Sequence, residues 1–170
     1  MSVNENIFDK RVAIILTIAL IANTIFPAIG HLLIFHFTVV EWLIMNICSP
    51  TMIATTIGLL FYIFRPSKTV AYYLIAVSIL LFTFAIGGFF VPIPFSIGMI
   101  QAHIAHILMI ITGIYIFYFV YRDETEDDTI SLLLKGILPG LIVVLIINFI
   151  IFPLFFRANP NIWSKYYRIF

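Results

Sequence analysis

The sequence has few charged residues and only one cysteine, and each shortage excludes a class of protein. Lys, Arg, Asp and Glu make up 10% of the 170 residues, whereas 63% of the residues are hydrophobic. A soluble domain needs a charged surface, and this chain has too few polar residues to form one. The single cysteine, Cys48, excludes an internal disulfide framework.

Basic runs and catalytic signatures are missing as well. The formal net charge is +1, and no cluster of Lys and Arg is long enough to follow a phosphate backbone, which excludes an electrostatic nucleic-acid binder. The sequence has no Gly-x-Ser-x-Gly elbow, no His-Glu-x-x-His zinc helix and no glycine-rich phosphate loop. We therefore expect that the chain is not an enzyme on its own.

Long apolar stretches dominate what is present. About 20 helical residues cross a hydrocarbon layer, and five segments reach that length. These segments are residues 12–36, 41–64, 70–90, 98–121 and 136–156. The sequence therefore predicts an all-α fold, a polytopic transmembrane helix bundle with five spans. We expect a single transmembrane domain over residues 1–170, with an interfacial C-terminal tail at 157–170 that is rich in aromatic residues.

The positions of Lys and Arg predict the orientation of the bundle. Six of these cations lie near span ends on one side, and three in the tail lie on the other. The six are Lys10, Arg11, Arg65, Lys68, Arg122 and Lys135, and the three are Arg157, Lys165 and Arg168. Because cations accumulate in cytoplasmic loops, we expect the amino terminus in the cytoplasm and the carboxyl terminus outside, in a multi-pass protein of the cell membrane.

Polar residues inside the spans are the candidate functional residues, because a layer without water forces each of them to find a protein partner. In the fourth span, Met99, His103 and His106 share one helix face, and Gln101 lies nearby. All four histidines of the chain, together with Cys48, fall in the outer half of the oriented bundle. These histidines are His31, His36, His103 and His106.

Two ligands fit such a cluster. Haem b would need two axial imidazoles at matching depth on facing helices, which His31 and His103 provide, with His106 beside them. A soft metal such as copper is the other candidate, with His103, His106, Met99 and Cys48 as ligands. The competing interpretation is that these side chains only pack and form hydrogen bonds inside the bundle.

Three functions are therefore open from the sequence. The first is a non-catalytic subunit of a membrane complex with an outer-leaflet histidine site for haem or a soft metal. The second is a solute-binding or transport subunit, with helix breaks at Pro27, Pro50 and Pro139 and with Asn46 and Gln101 as substrate-binding residues.

The third is a purely structural packing subunit, for which the Gly136-x-x-x-Gly140 pattern offers a close helix contact. In all three, the expected partners are the lipid bilayer and either other membrane subunits or further copies of the chain, and not nucleic acid.

Overall fold

A computed structural model of the protein describes residues 10–90, 97–121 and 130–167. Within these ranges every regular element is a helix, so the predicted all-α fold is confirmed. The helices are α1 (Lys10–Ile34), α2 (Val39–Met45), α3 (Cys48–Phe64), α4 (Lys68–Phe89), α5 (Ile97–Tyr121), α6 (Ile130–Ala158) and α7 (Ile162–Tyr167).

Four of these helices, α1, α4, α5 and α6, are long and apolar enough to cross a membrane, and α2 with α3 adds a fifth if the bent pair is one span. The ends of α1, α4 and α5 lie within two residues of the predicted boundaries. Helix α6 begins at Ile130 rather than at Gly136. Its extra turn is held by Leu132, which is 2% exposed in the core, and by Lys135, whose Nζ lies 5.7 Å from the centre of the Tyr72 ring.

The predicted second span is broken near its start. Helices α2 and α3 meet at an angle of 88° across the two turn residues Asn46 and Ile47. Thr38 begins α2 with a capping box, because the Glu41 amide donates to its Oγ1 (3.2 Å) and its own amide donates to the Glu41 carboxylate (2.7 Å). Pro50 lies in the first turn of α3, where its missing N–H costs no helical hydrogen bond.

The other two prolines expected to break helices lie inside continuous ones. Pro27 is within α1, which continues into a wider π-helical turn at Gly30–Ile34. Pro139 follows a π-helical turn at Leu133–Ile137. This wider turn accommodates the missing N–H group of the proline, so the helix continues without a break. The only one of the three expected breaks found among the described residues is therefore the one beside Pro50.

Helix α4 is at the centre of the bundle, where it contacts α3, α5 and α6, while α1 packs against α3 and α5. Helices α3 and α4 are antiparallel, because Cys48 at the start of α3 contacts Phe84 late in α4, whereas Gly58 meets Tyr73 and Leu74 early in α4. Helix α5 is antiparallel to α4 as well, since their contacts run in opposite order along the two helices.

Helix α6 runs parallel to α4 and approaches it through two glycines. Gly136 packs on Ile75, and Gly140 lies so close that a Cβ there would come within 2.6 Å of the Ala76 carbonyl oxygen. The glycine pattern that suggested close helix packing is thus the α4–α6 contact at one end of the bundle.

At the other end, α2 and α7 pack together over the end of α1. A second buried cluster, which we call the end cluster, consists of Phe37, Trp42, Phe155 and Ile162. Helix α7 is held there by Lys165, whose Nζ forms an ion pair with Glu41 (2.8 Å) and donates to the His36 carbonyl (3.2 Å). The C-terminal helix therefore docks on the connection between α1 and α2, far from Lys10.

Candidate functional site

A cavity of about 430 Å³ lies beside the last turns of α4. It is lined by the α2–α3 break, α4, α5, α6 and one residue of α7, Trp163. Its polar lining residues are Asn46, Cys48, Thr83, His106 and Asn148, and its apolar lining includes Phe84, Phe152 and Phe156. Among the described residues, no Asp, Glu, Lys or Arg lines it. The cavity is therefore polar at several points and uncharged.

The α2–α3 break brings Asn46 and Cys48 to the same cavity. Residues two apart on a continuous helix point to different faces, so a straight helix would separate these two side chains. The turn at Asn46 and Ile47 removes that separation. Cys48 is 8% exposed, and its Sγ lies 3.9 Å from the Phe84 carbonyl oxygen on α4.

His106 reaches the cavity from α5 by packing directly against Gly88 of α4. A Cβ at position 88 would overlap the His106 ring, so glycine is what allows the ring to lie there. Phe89 meets the same ring edge-on, with centroids 5.5 Å apart. His106 is 7% exposed, and its Nδ1 has no hydrogen-bonding partner within the described part of the chain. Nδ1 of His103 and the hydroxyl oxygens of Thr56 and Thr112 are in the same state away from the described lining, so the position of the His106 ring in the lining is what relates it to the cavity.

His103 lies next to His106 but is not among the described lining residues of the cavity. Its ring stacks on Phe89 at 5.0 Å and 9°, and the two imidazole centroids are 6.1 Å apart. Residues 10–90, 97–121 and 130–167 contain no group of three or more His, Cys, Asp or Glu side chains that could hold a metal ion. The side chain of Met99, the fourth ligand of the predicted copper site, lies outside what the structure describes.

His31 is placed apart from the cavity, in the last turn of α1. Its Nδ1 lies 2.8 Å from the Pro27 carbonyl oxygen, and because a carbonyl only accepts, Nδ1 carries the proton. Its ring meets Phe35 and Phe37 edge-on. These are packing and hydrogen-bonding contacts, and the haem ligand pair His31 and His103 stays a prediction.

The predicted solute-binding pair is also divided. Asn46 lines the cavity, whereas Gln101 is half-buried on α5 and is not among the described lining residues. Asn148 lines it as well, with its Nδ2 donating to the Val144 carbonyl (2.9 Å). Asn148 could have been identified from the sequence, because it is an asparagine within an apolar span. No sequence signal indicates that Trp163, in the C-terminal tail, reaches the cavity.

A larger and more open depression of about 870 Å³ lies against α7. Its charged lining residues, Glu41 and Lys165, are bound to each other. The depression therefore offers an already satisfied ion pair, whereas the lining of the smaller cavity combines uncharged polar side chains with aromatic rings. We take the smaller cavity as the candidate site.

Comparisons with known proteins give no assignment. No protein family, no curated protein and no solved structure matches the chain. The chemistry of the cavity is therefore the basis for a functional proposal.

Proposed function

We propose that the protein is a multi-pass membrane protein of the cell membrane that binds a small molecule from the lipid phase, as a non-catalytic binding or carrier subunit. The observation that carries this proposal is the convergence of Asn46 and Cys48, from the α2–α3 break, and His106, from α5, on one cavity. Its volume of about 430 Å³ lies in the range of about 300–1,000 Å³ that is usual for ligand pockets.

The proposed orientation has the amino terminus in the cytoplasm and the cavity in the outer half of the bundle. The excess of cations on the side of Lys10 supports it. The docking of α7 on the α1–α2 connection supports termini on opposite sides, because this connection lies at the end of α1 away from Lys10. Opposite termini are what an odd number of spans requires.

A second candidate is a haem or soft-metal site, which the adjacent imidazoles of His103 and His106 favour. An absorbance spectrum of the purified protein, oxidised and reduced, together with elemental analysis, separates this candidate from the first. A Soret band or stoichiometric copper that is lost in His103→Ala would establish it. A colourless, metal-free protein leaves the organic ligand.

The proposal is tested by filling the cavity. Ala102 lines it from α5, and Ala102→Phe would occupy the space. The matched control is Ala22→Phe, at an exposed position on α1. The proteins would be extracted in lipid particles without detergent, and small molecules that copurify would be identified by mass spectrometry. We expect one compound in wild type and in Ala22→Phe that is lost in Ala102→Phe. Identical contents in all three would instead favour a purely structural packing subunit.

A further inference from the structure

From the lining of the cavity we infer the class of its ligand: an uncharged molecule with a flat, carbonyl-bearing ring and an apolar chain, such as a lipid-soluble quinone, which enters sideways from the lipid layer. This inference rests on the proposed function. It concerns binding only, and no chemical change of the ligand is part of it.

The absence of charge in the described lining requires an uncharged ligand. An ion moved from water into this cavity would lose its hydration and meet no opposite charge, which costs several kcal/mol. The ion pair of Glu41 and Lys165 lines the larger and more open depression and not this cavity. Fatty acids and phosphate-bearing lipid headgroups therefore fit poorly.

The polar groups of the lining favour a ligand that accepts hydrogen bonds. The Asn46 amide and the His106 imidazole both line the cavity, and both carry N–H donors. Either N–H could donate to a carbonyl oxygen, which accepts without bringing charge or a donor of its own. The two groups come from the α2–α3 break and from α5, so they would hold a ligand at two points.

The shape of the lining favours a flat ring. Helices α4 and α5 contribute the small residues Gly87, Gly88 and Ala102, whereas α6 and α7 contribute aromatic rings. Among these rings, Phe156 and Trp163 are stacked on each other at 5.2 Å and 18°. A flat ring between small residues and aromatic faces gains contact area and offset stacking, which a plain hydrocarbon chain does not.

Entry from the lipid layer follows from the way α4 and α6 separate. The two helices touch at Gly136 and Gly140, and again where the Phe84 and Phe152 rings meet with centroids 6.3 Å apart. A Cβ added at Gly87, about one turn further along α4, would meet nothing within 4 Å. Gly87 and Asn148 both line the cavity and are both exposed on the helix bundle. The cavity thus opens between α4 and α6 on a face made of apolar helices.

The test measures equilibrium binding of a radiolabelled decyl-benzoquinone to the full chain in lipid particles. Particles that contain the Ala102→Phe variant measure how much quinone dissolves in the lipid without binding in the cavity. Unlabelled decanol and decanoic acid, which have the same chain length but no ring, are the competitors. We expect saturable binding that is absent in Ala102→Phe, and competition by either competitor at least about tenfold weaker than by unlabelled quinone.

Two variants test the donors. Asn46→Leu and His106→Phe each remove one hydrogen bond in an apolar site, and we expect about five- to tenfold weaker quinone binding. Asn23→Leu, on α1 and away from the described lining, makes the same exchange as Asn46→Leu and should bind like wild type. If His106→Phe does not assemble because of its contact with Gly88, Asn46→Leu decides the point, and unchanged binding in it overturns the proposed contact.

The outcomes separate the ligand class from the function. If decanol or decanoic acid competes as well as the quinone, the ligand class is wrong while the site stands. If the quinone fails to bind but the copurifying compound is still lost in Ala102→Phe, the class is again wrong. If nothing binds saturably and Ala102→Phe carries the same compounds as wild type, the proposed function itself fails.

Discussion

Lys165 in α7 and Glu41 in α2, 124 residues apart in the sequence, form an ion pair of 2.8 Å. The same ammonium lies 4.4 Å from the centre of the Phe37 ring. Two residues earlier in α7, Trp163 stacks on Phe156 and lines the cavity. The ion pair therefore holds in place the helix that covers one side of the candidate site.

Lys165→Met should loosen α7 without unfolding the bundle. The Lys165 side chain is 37% exposed, and a pair at such a position contributes only about 0.2–1 kcal/mol. We expect faster tryptic cleavage after Arg157, an exposed residue in the last turn of α6, with little change in melting temperature. Lys10→Met, at the other end of α1, is the control. Equal cleavage rates in wild type and Lys165→Met would contradict the docking role.

The stabilising effect of Glu41 should depend on pH. The carboxylate form of Glu41 pairs with the Lys165 ammonium and accepts a hydrogen bond from the Thr38 amide. Protonation of the carboxyl in acid removes its charge, so the stabilisation is present at neutral pH and is lost as the pH falls.

The measurement is the difference in melting temperature between wild type and Glu41→Gln across this pH range. The difference should be constant from pH 7 to about pH 5 and should shrink below that. A difference that stays the same down to pH 3 would show that the charge of Glu41 is not involved.

Gly88→Ala should destabilise the protein, whereas its neighbour Gly87→Ala should not. A Cβ at position 88 overlaps the His106 ring, and overpacking of this kind costs about 1–3 kcal/mol. At position 87 the added methyl group meets nothing, and alanine is the better helix former by up to about 1 kcal/mol. Thermal unfolding in detergent compares the two. Recovery of stability in Gly88→Ala with His106→Ala would assign the loss to this contact.

Gly140→Ala should separate α6 from α4. The added Cβ would meet the Ala76 carbonyl oxygen at 2.6 Å, and backbone in the middle of a helix cannot turn aside as a side chain can. We expect a loss of about 1–3 kcal/mol, measured by thermal unfolding. Gly30→Ala is the control, because its nearest neighbour is a Phe35 ring atom at 3.9 Å. A similar, small effect of both changes would contradict tight α4–α6 packing.

Labelling of single cysteines tests the orientation. In a Cys48→Ser background, Ser67→Cys lies in the α3–α4 turn and Ser164→Cys lies in α7. A membrane-impermeant thiol reagent applied to intact cells should reach residue 164 and not residue 67. Reaction of both from the same side would show that an even number of spans separates them, which would contradict the three spans α4, α5 and α6.

The sequence was sufficient to predict the helices whose ends carry clear signals. Arg65, Pro66 and Lys68 separate α3 from α4 at the predicted place, because cations and proline do not continue an apolar helix. The start of α6 was less predictable, because residues 130–134 are apolar except for Ser131 but precede Lys135. The structure keeps this cation on the helix by placing it over Tyr72.

The cavity could not be predicted, because it depends on contacts between distant residues. The break at Asn46 and Ile47 has no glycine, and the proline that suggested it lies three residues further on. The position of His106 depends on Gly88 in another helix, and that of Trp163 depends on Lys165 reaching Glu41. The sequence analysis grouped Cys48 with His106 in the predicted copper site, but it assigned Asn46 to a separate solute-binding pair with Gln101.

The contact between Gly88 and His106 also constrains how the sequence can diverge. A side chain at position 88 and an imidazole at position 106 compete for the same space, so position 88 can gain a side chain only if residue 106 becomes smaller. In homologous chains, alanine or a larger residue at position 88 should therefore be accompanied by a residue smaller than histidine at position 106. Where glycine is kept at position 88, the histidine can be kept as well, and with it the imidazole in the lining of the cavity.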